Sequence, residues 1–533
     1  MATADVVGAY LHASMPDYVL MKLVGDAVAI MISVNPKYEI FVVMENGKPV
    51  LYLRLLKALY GCVQSALLWY NLFTSKLKER GFILNPYDPC VANCMIRGKQ
   101  CTVGWYVDDT KISHVDPEVV TEIVEAIEEN FGKMTVTRGK KHTFLGMDLT
   151  LNGDGTVTVA MSNYIREAIA DFGEDVSAPA STPGGKNLFT VDEESPPLSR
   201  VGAELFHSIV AKLLYISSRA RSDISPTIAF LCTRVARSTE QDWAKLRRLL
   251  RYLGSTIELT ATLGADGLTK MYTWVDAAYA THDDMKSHTG GCVSLGRGVF
   301  MPKSTKQKLV TKSSTEAELV GASDYLPNTI WAKNFLGAQG YDITENIFYQ
   351  DNQSAIRLET NGRASAGQKS RHINIRYFFI KDRIASDGMK VVHCPTAIML
   401  ADFYTKPLQG ALFRKFRSVI LGYKPVSSLY QEADAPNLSD EERVGDSRPV
   451  ESERVGDPIK ESDKERSRAT QEVLWTTGWL SQRSRGQKRS KSNLHVESMR
   501  RRKDSTIGSR DWDVGGQTAS AGIYVSKRVF LVC

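Results

Sequence analysis

The sequence predicts a chain of changing fold class: α+β over residues 1–160, mostly helical over 161–265, α/β over 266–425, and disordered from 426 to 533. Three observations carry this reading. Apolar and aromatic residues from Thr102 to Ile112 flank Asp108-Asp109, as two short strands meeting in a tight turn would. Asp276, Glu318, Asp351 and Asp402 fall on successive strand, helix, strand and helix patterns. Beyond residue 430 no period persists. There Glu442-Arg443-Val444-Gly445-Asp446 recurs as Glu453-Arg454-Val455-Gly456-Asp457, in charged surroundings too poor in apolar residues to bury a core.

In the first region, Asp5 opens the segment Asp5-Val6-Val7-Gly8-Ala9-Tyr10. Asp116-Pro117 starts a helix that Gly132 stops, with Val119, Val120, Ile123, Ile127 and Phe131 as its buried stripe. The hairpin Leu149–Leu151, Asn152-Gly153-Asp154-Gly155, Val157–Val159 is expected to close the first sheet. In the second region, Trp243 to Leu253 places Lys245, Arg247, Arg248 and Arg251 opposite Leu246, Leu249, Leu250 and Leu253, an amphipathic helix with a basic face. That face is either solvated or laid along the phosphates of a polynucleotide.

In the third region, Met271–Val275 is a strand ending at Asp276, and Gly290-Gly291 and Gly296 punctuate the strands that follow. Ser313 and Glu316 form a capping box at the next helix start, which occupies Glu316 and leaves Glu318 for chemistry. Ile347–Gln350 is a strand ending at Asp351. Lys390–His393 is another, and Asp402 lies on the helix after it.

Composition bounds the partners. A chain of 533 residues, 43% hydrophobic, holds two or three domains, and the net charge of 67 − 60 = +7 fits a polyanion without demanding one. The eight cysteines, at 62, 90, 94, 101, 232, 292, 394 and 533, include no CxxC pair and no zinc spacing, so reduced, buried thiols are expected. No apolar run approaches the roughly 20 residues of a membrane span. A soluble, intracellular protein with no membrane partner is expected. Basic clusters at 483–491 and 500–503 read as solvated charge, with RNA binding or a nuclear address as the alternative.

Paired aspartates in an apolar run suit hard divalent cations, which bind carboxylate oxygens held on rigid elements; two such ions about 4 Å apart assist phosphoryl transfer. An ordinary Asp-Asp turn is the competing reading of Tyr106-Val107-Asp108-Asp109 taken alone.

The order of the motifs decides between them. Asp5 with Tyr10, the run Leu56-Lys57-Ala58-Leu59-Tyr60-Gly61-Cys62-Val63-Gln64-Ser65, Trp69-Tyr70, Gly81-Phe82, Tyr87-Asp88-Pro89, Tyr106–Asp109 and Phe144-Leu145-Gly146-Met147 together resemble the reverse transcriptase of copia-type LTR retrotransposons. Lys312 to Glu318, Asp351-Asn352-Gln353-Ser354-Ala355 and Ala401-Asp402-Phe403-Tyr404-Thr405-Lys406 resemble the RNase H of the same polyproteins. Lys369-Ser370-Arg371-His372 resembles a further motif, a loop facing the hybrid or a plain helix entry.

The resemblance covers nearly all of residues 1 to 425. It implies a polymerase palm (1–160), a helical thumb or connection (161–265) and an α/β RNase H-like domain (266–425). It further implies Asp5, Asp108 and Asp109 as the polymerase's metal-binding catalytic residues, Tyr10 and Gln64 as contacts of the incoming nucleotide, and Asp276, Glu318, Asp351 and Asp402 as the nuclease's. His393 is an auxiliary candidate, with a hydrogen-bonded surface histidine as the plainer reading. The cofactor implied is Mg2+, two ions per site, with Mn2+ as an alternative. Partners would be an RNA template, a DNA primer, dNTPs, an RNA–DNA hybrid and other polyprotein products.

The resemblance implies a fingers region upstream of Asp5 that is expected to be missing here, and four residues before Asp5 are expected to be too few for a strand paired on both sides. A chain that extends primers poorly while residues 266–425 alone cleave hybrid is therefore expected. The alternatives are a catalytically inactive relic that only binds nucleic acid, and a nuclease with the polymerase half as scaffold.

Overall fold

The computed structural model of the chain describes residues 1–361 and 374–433. The motif at 369–372, the tail from 434 onward with its basic clusters, and Cys533 lie outside the described residues. A six-stranded antiparallel sheet comes first, in the spatial order Ile83–Asn85, Asp88–Ile96, Lys99–Tyr106, Asp109–Ser113, Ala2–Asp5, Thr135–Arg138. The helices Ser65–Glu79 and Pro117–Phe131 bury Trp69, Phe73, Leu77, Val119, Val120, Ile123, Ile127 and Phe131 against it. The second of these starts where the sequence places it: Asp116 Oδ1 accepts the Glu118 amide at 2.9 Å, and Gly132 ends the helix at φ 79°.

Strand Ala2–Asp5 corrects one expectation. It pairs with Asp109–Ser113 on one side and Thr135–Arg138 on the other, so the four residues up to Asp5 suffice for a central strand. Ala2 and Thr3 are buried within it. A separate three-stranded sheet (Leu20–Val24, Lys48–Arg54, Val43–Glu45) carries its own small core of Leu23, Val28 and Leu51.

The hairpin of residues 147–160 forms at the expected place, with Asp148 to Leu151 against Val157 to Ala160, but it does not close the first sheet. With Lys141–Phe144 it joins Ala261–Ala265 and Gly296–Arg297 in a second sheet. The helices Ser162–Phe172, Arg200–Arg219, Ser225–Arg234 and Glu240–Ser255 pack on one another, and one continuous core joins them to that sheet, running from Val91 to Leu429.

The helix Glu240–Ser255 forms where the sequence places it, with part of its basic face engaged by the protein. Its cations have protein partners: Lys245 Nζ meets the Thr190 carbonyl at 2.5 Å, Arg247 Nε meets Glu174 at 2.6 Å, and Arg248 Nη2 meets Thr182 Oγ1 at 3.0 Å. The Nε atoms of Arg248 and Arg251 are buried. Lys245, Arg247 and Arg248 are thus engaged by the fold, whereas the buried Nε of Arg251 has no hydrogen-bond partner among the described residues.

The third sheet runs Phe300–Lys306, His288–Ser294, Lys270–Ala278, Glu345–Gln350, Met389–His393, three antiparallel strands followed by two parallel additions. The 25-residue helix Ser314–Ala338 covers one face, and the helices Gln353–Asn361 and Asn374–Ser386 pack beside it. Gly290 and Gly291 are needed for close approach. A Cβ on Gly290 would lie 2.8 Å from the Ala401 carbonyl, and one on Gly291 would lie 2.6 Å from the Tyr325 ring.

This region does not stand alone. Gly296–Arg297 pairs with Ala261–Ala265, helix Ser225–Arg234 packs on strand Phe300–Lys306, and the long helix meets the first sheet through Trp331 and Gln339. Residues 266–425 share their core with what precedes them, a packing that the expectation of a self-sufficient unit did not include.

Candidate active sites

At the first sheet, antiparallel pairing sets Asp5 directly opposite Asp109, and Asp109 in turn opposite Tyr106. Val107 and Asp108 form the turn between the two strands, with Val107 at φ 57°. That strained turn is held from both sides. Trp69 Nε1 donates to the Val107 carbonyl at 2.6 Å, and the Val6 amide donates to the Asp108 carbonyl at 2.9 Å. The three aspartates thus lie at one end of the sheet, but their oxygens do not all come within 4.8 Å of one another.

Tyr10 follows on a short helix that begins after Gly8, which is in the left-handed region at φ 65°. Its ring lies 4.3 Å from that of Tyr60. Burial, then Asp108, Tyr10 and Asp5, push the Tyr60 hydroxyl up to about 12, and burial with Tyr106 and Asp108 raises that of Tyr10. Gln64 precedes the helix Ser65–Glu79 and donates to Asp17 at 3.2 Å. The hairpin turn at Leu145 and Gly146 is tied to the helical region by Tyr215, whose hydroxyl donates to the Leu145 carbonyl at 2.6 Å.

At the third sheet, Asp276 lies near the end of the central strand, Asp351 follows the end of its parallel neighbour, and Glu318 lies on the first turns of the long helix. Among the described residues these three form the one group of three acidic, histidine or cysteine ligands whose donor atoms all lie within 4.8 Å of one another. The helix cap works as the sequence suggests: Ser313 Oγ accepts the Glu316 amide at 3.2 Å, and Glu316 accepts the Lys312 amide at 2.8 Å.

Glu318 points elsewhere and is 5% exposed, and its Oε2 has no hydrogen-bond partner. Burial first, then Asp276, Asp351 and Glu359, raises its carboxyl well above the ordinary range. Asp351 is raised by burial and Asp276, against the opposing pull of Lys406, its own backbone amide and His393. Buried, mutually repelling carboxylates with an orphaned oxygen are what a divalent cation relieves. The donor set is all oxygen, as Mg2+ or Mn2+ prefers.

Asp402 is placed differently. Its Oδ1 accepts from Lys406 Nζ at 2.6 Å, and the same ammonium lies 3.8 Å from Asp276 Oδ2. Burial, then Asp276, pushes Asp402 up to about 7 in spite of that pairing. Asp276 Oδ2 also accepts from Thr405 Oγ1. His393 pairs in register with Gln350 on the neighbouring strand, at the Asp351 end.

Sequence reading missed Thr405, Lys406 and Glu359. The i, i+4 spacing of Asp402 and Lys406 was a visible signal for one of them. Glu359, buried with both carboxylate oxygens unpartnered and pushed up to about 8, had none.

Residues 3–185 match the family model described as reverse transcriptase (RNA-dependent DNA polymerase). Over 427 residues the chain is 28% identical to the retrovirus-related Pol polyprotein from transposon TNT 1-94 of Nicotiana tabacum, covering 78% of this chain and 30% of that protein. The chain is thus similar to Pol polyproteins of copia-type retrotransposons, with the likeness to reverse transcriptase over residues 3–185.

The Pol polyprotein from transposon RE1 of Arabidopsis thaliana is 29% identical over 425 residues, which are 78% of this chain and 27% of that one. The transposon Ty1-ER2 Gag-Pol polyprotein of Saccharomyces cerevisiae is 21% identical over 385 residues, 68% and 21%. The chain therefore spans less than a third of the length of these Pol polyproteins. A crystal structure of prototype foamy virus protease-reverse transcriptase covers 75% of this chain and 46% of that one, at 12% identity and a TM-score of 0.20.

Proposed function

We propose that this chain carries two phosphoryl-transfer sites, an RNA-directed DNA polymerase on the first sheet and an RNase H acting on RNA–DNA hybrids on the third. The observation that supports the second most strongly is the convergence of Asp276, Glu318 and Asp351 within 4.8 Å around an unpartnered, buried carboxylate oxygen. These three would hold a divalent cation, with Asp402 completing the set for a second. Such ions supply Lewis-acid stabilisation of the phosphoryl oxygens and a lowered pKa for attacking water.

The protein's own part is positional. The parallel pairing of Lys270–Ala278 with Glu345–Gln350 fixes Asp276 and Asp351 at one edge, the cap at Ser313 fixes the start of the helix bearing Glu318, and Thr405 orients Asp276. His393, paired with Gln350 at the Asp351 end, would exchange a proton with product.

At the polymerase site, Asp5, Asp108 and Asp109 would hold the ions that assist attack by the primer 3′ hydroxyl and departure of pyrophosphate. Tyr10, braced by Tyr60, would exclude a 2′ hydroxyl by volume, and Gln64 would contact the nucleotide. Template RNA, DNA primer, dNTPs and hybrid are the partners of this reading, and Mg2+ its cofactor. Hybrid cleavage and primer extension assayed on the same preparation, with Asp351→Asn and Asp109→Asn each silencing one and sparing the other, test it.

A further inference from the structure

Four carboxylates meet at the third sheet, yet the structure divides them. Asp276, Glu318 and Asp351 converge, whereas Asp402 is turned to Lys406, whose Nζ sits 2.6 Å from Asp402 Oδ1 and 3.8 Å from Asp276 Oδ2. The ammonium therefore lies between Asp402 and Asp276, the acid outside the converging set and one within it. Lys406 follows Asp402 by one helical turn, and Thr405 beside it holds Asp276, so one short segment sets the lysine against both acids. Its side chain is 40% exposed, which leaves it a route out to water.

We propose that Lys406 is a positioning residue that stands in for the second divalent cation, so that the first ion enters a preformed three-carboxylate site and the second enters only as Lys406 swings out. Two cations cannot share that space, and withdrawing a unit charge from a buried acidic pair costs far more than at a surface. The RNase H site then fills in two separated steps, with the second ion held weakly. The inference rests on the RNase H reading above.

The test is calorimetric titration of the full chain with MnCl2, in an Asp108→Asn, Asp109→Asn background so that the other acidic cluster does not contribute, beside the Mg2+ dependence of hybrid cleavage. Two events of different affinity are expected. Lys406→Met should lower the half-saturating Mn2+ of the second event about tenfold while moving the first much less, and should lower the Mg2+ needed for cleavage in parallel. Lys406→Arg, which keeps the charge, should leave the second event weak. Equal shifts of both events in Lys406→Met, or no shift, would overturn the stand-in role while leaving the site intact. If Asp351→Asn leaves both events unchanged, the acidic site itself is misassigned and the inference falls with it.

Discussion

Trp331, midway along the helix that carries Glu318, donates its indole N–H to the backbone carbonyl of Tyr87 at 2.9 Å, across 244 positions of sequence. Asn85 Nδ2 reaches the Phe335 carbonyl at 3.4 Å and Gln100 reaches the Gln339 carbonyl at 3.2 Å, so the first sheet is tied to the long helix and its end.

Trp331 is 7% exposed and stacks on Phe335. Trp331→Ala should cost about 3–5 kcal/mol, the usual range for removing a large buried aromatic. Urea unfolding measures it. A cost under ~1 kcal/mol would mean that the contact contributes little to the fold. For the same reason, residues 266–425 produced alone should unfold at lower urea than the same residues within 1–433. Equal midpoints would show that the shared core is dispensable.

Glu359 should make stability fall with rising pH. Its carboxyl is buried without a hydrogen-bond partner and its folded-state pKa is pushed up to about 8, above the ordinary carboxyl value it regains on unfolding. The folded chain therefore retains a proton that the unfolded chain has lost. The stabilisation is complete below the unfolded value and is lost as pH rises through the folded one. Glu359→Gln, which cannot titrate, should flatten this part of the profile between pH 5 and 8. A profile of unchanged slope in denaturant titrations would mean that Glu359 finds a partner in solution.

Gly290 stands opposite Asp276 in the strand register, and a Cβ there would press on Thr405, the Ala401 carbonyl and Tyr404. Gly290→Ala should displace the segment bearing Asp402 and Lys406, cost about 1–3 kcal/mol and lower hybrid cleavage more than it lowers stability. Full cleavage by a folded Gly290→Ala protein would mean that this close approach is not needed.

Tyr10→Ala should raise incorporation of ribonucleotides relative to deoxyribonucleotides, because discrimination by volume is lost with the ring. An unchanged ratio would reduce Tyr10 to a packing partner of Tyr60.

Local chemistry was legible in the sequence. Ser313 and Asp116 announce helix starts, Asp108-Asp109 announces a turn between apolar strands, and each cap or turn depends on residues within a few positions of itself. What depended on distant partners was not. The basic face at Lys245 to Arg251 looks free until Glu174, Thr182 and Thr190 are seen against it. The hairpin at 147–160 has the right turn but gives no sign of which sheet it joins, since pairing with Ala261–Ala265 spans a hundred residues. The four acids were found by their strand and helix contexts. Their division into three that converge and one held by Lys406 required the geometry.

The central claim is that the acids of the third sheet cleave the RNA strand of a hybrid, and Asp351→Asn tests it most directly. The amide keeps the shape and removes the charge that binds the ion. The full chain carrying Asp351→Asn should bind RNA–DNA hybrid as the parent does and lose at least about a hundredfold in Mg2+-dependent cleavage, close to 3 kcal/mol of transition-state stabilisation. Cleavage at the parental rate by that variant would contradict the account.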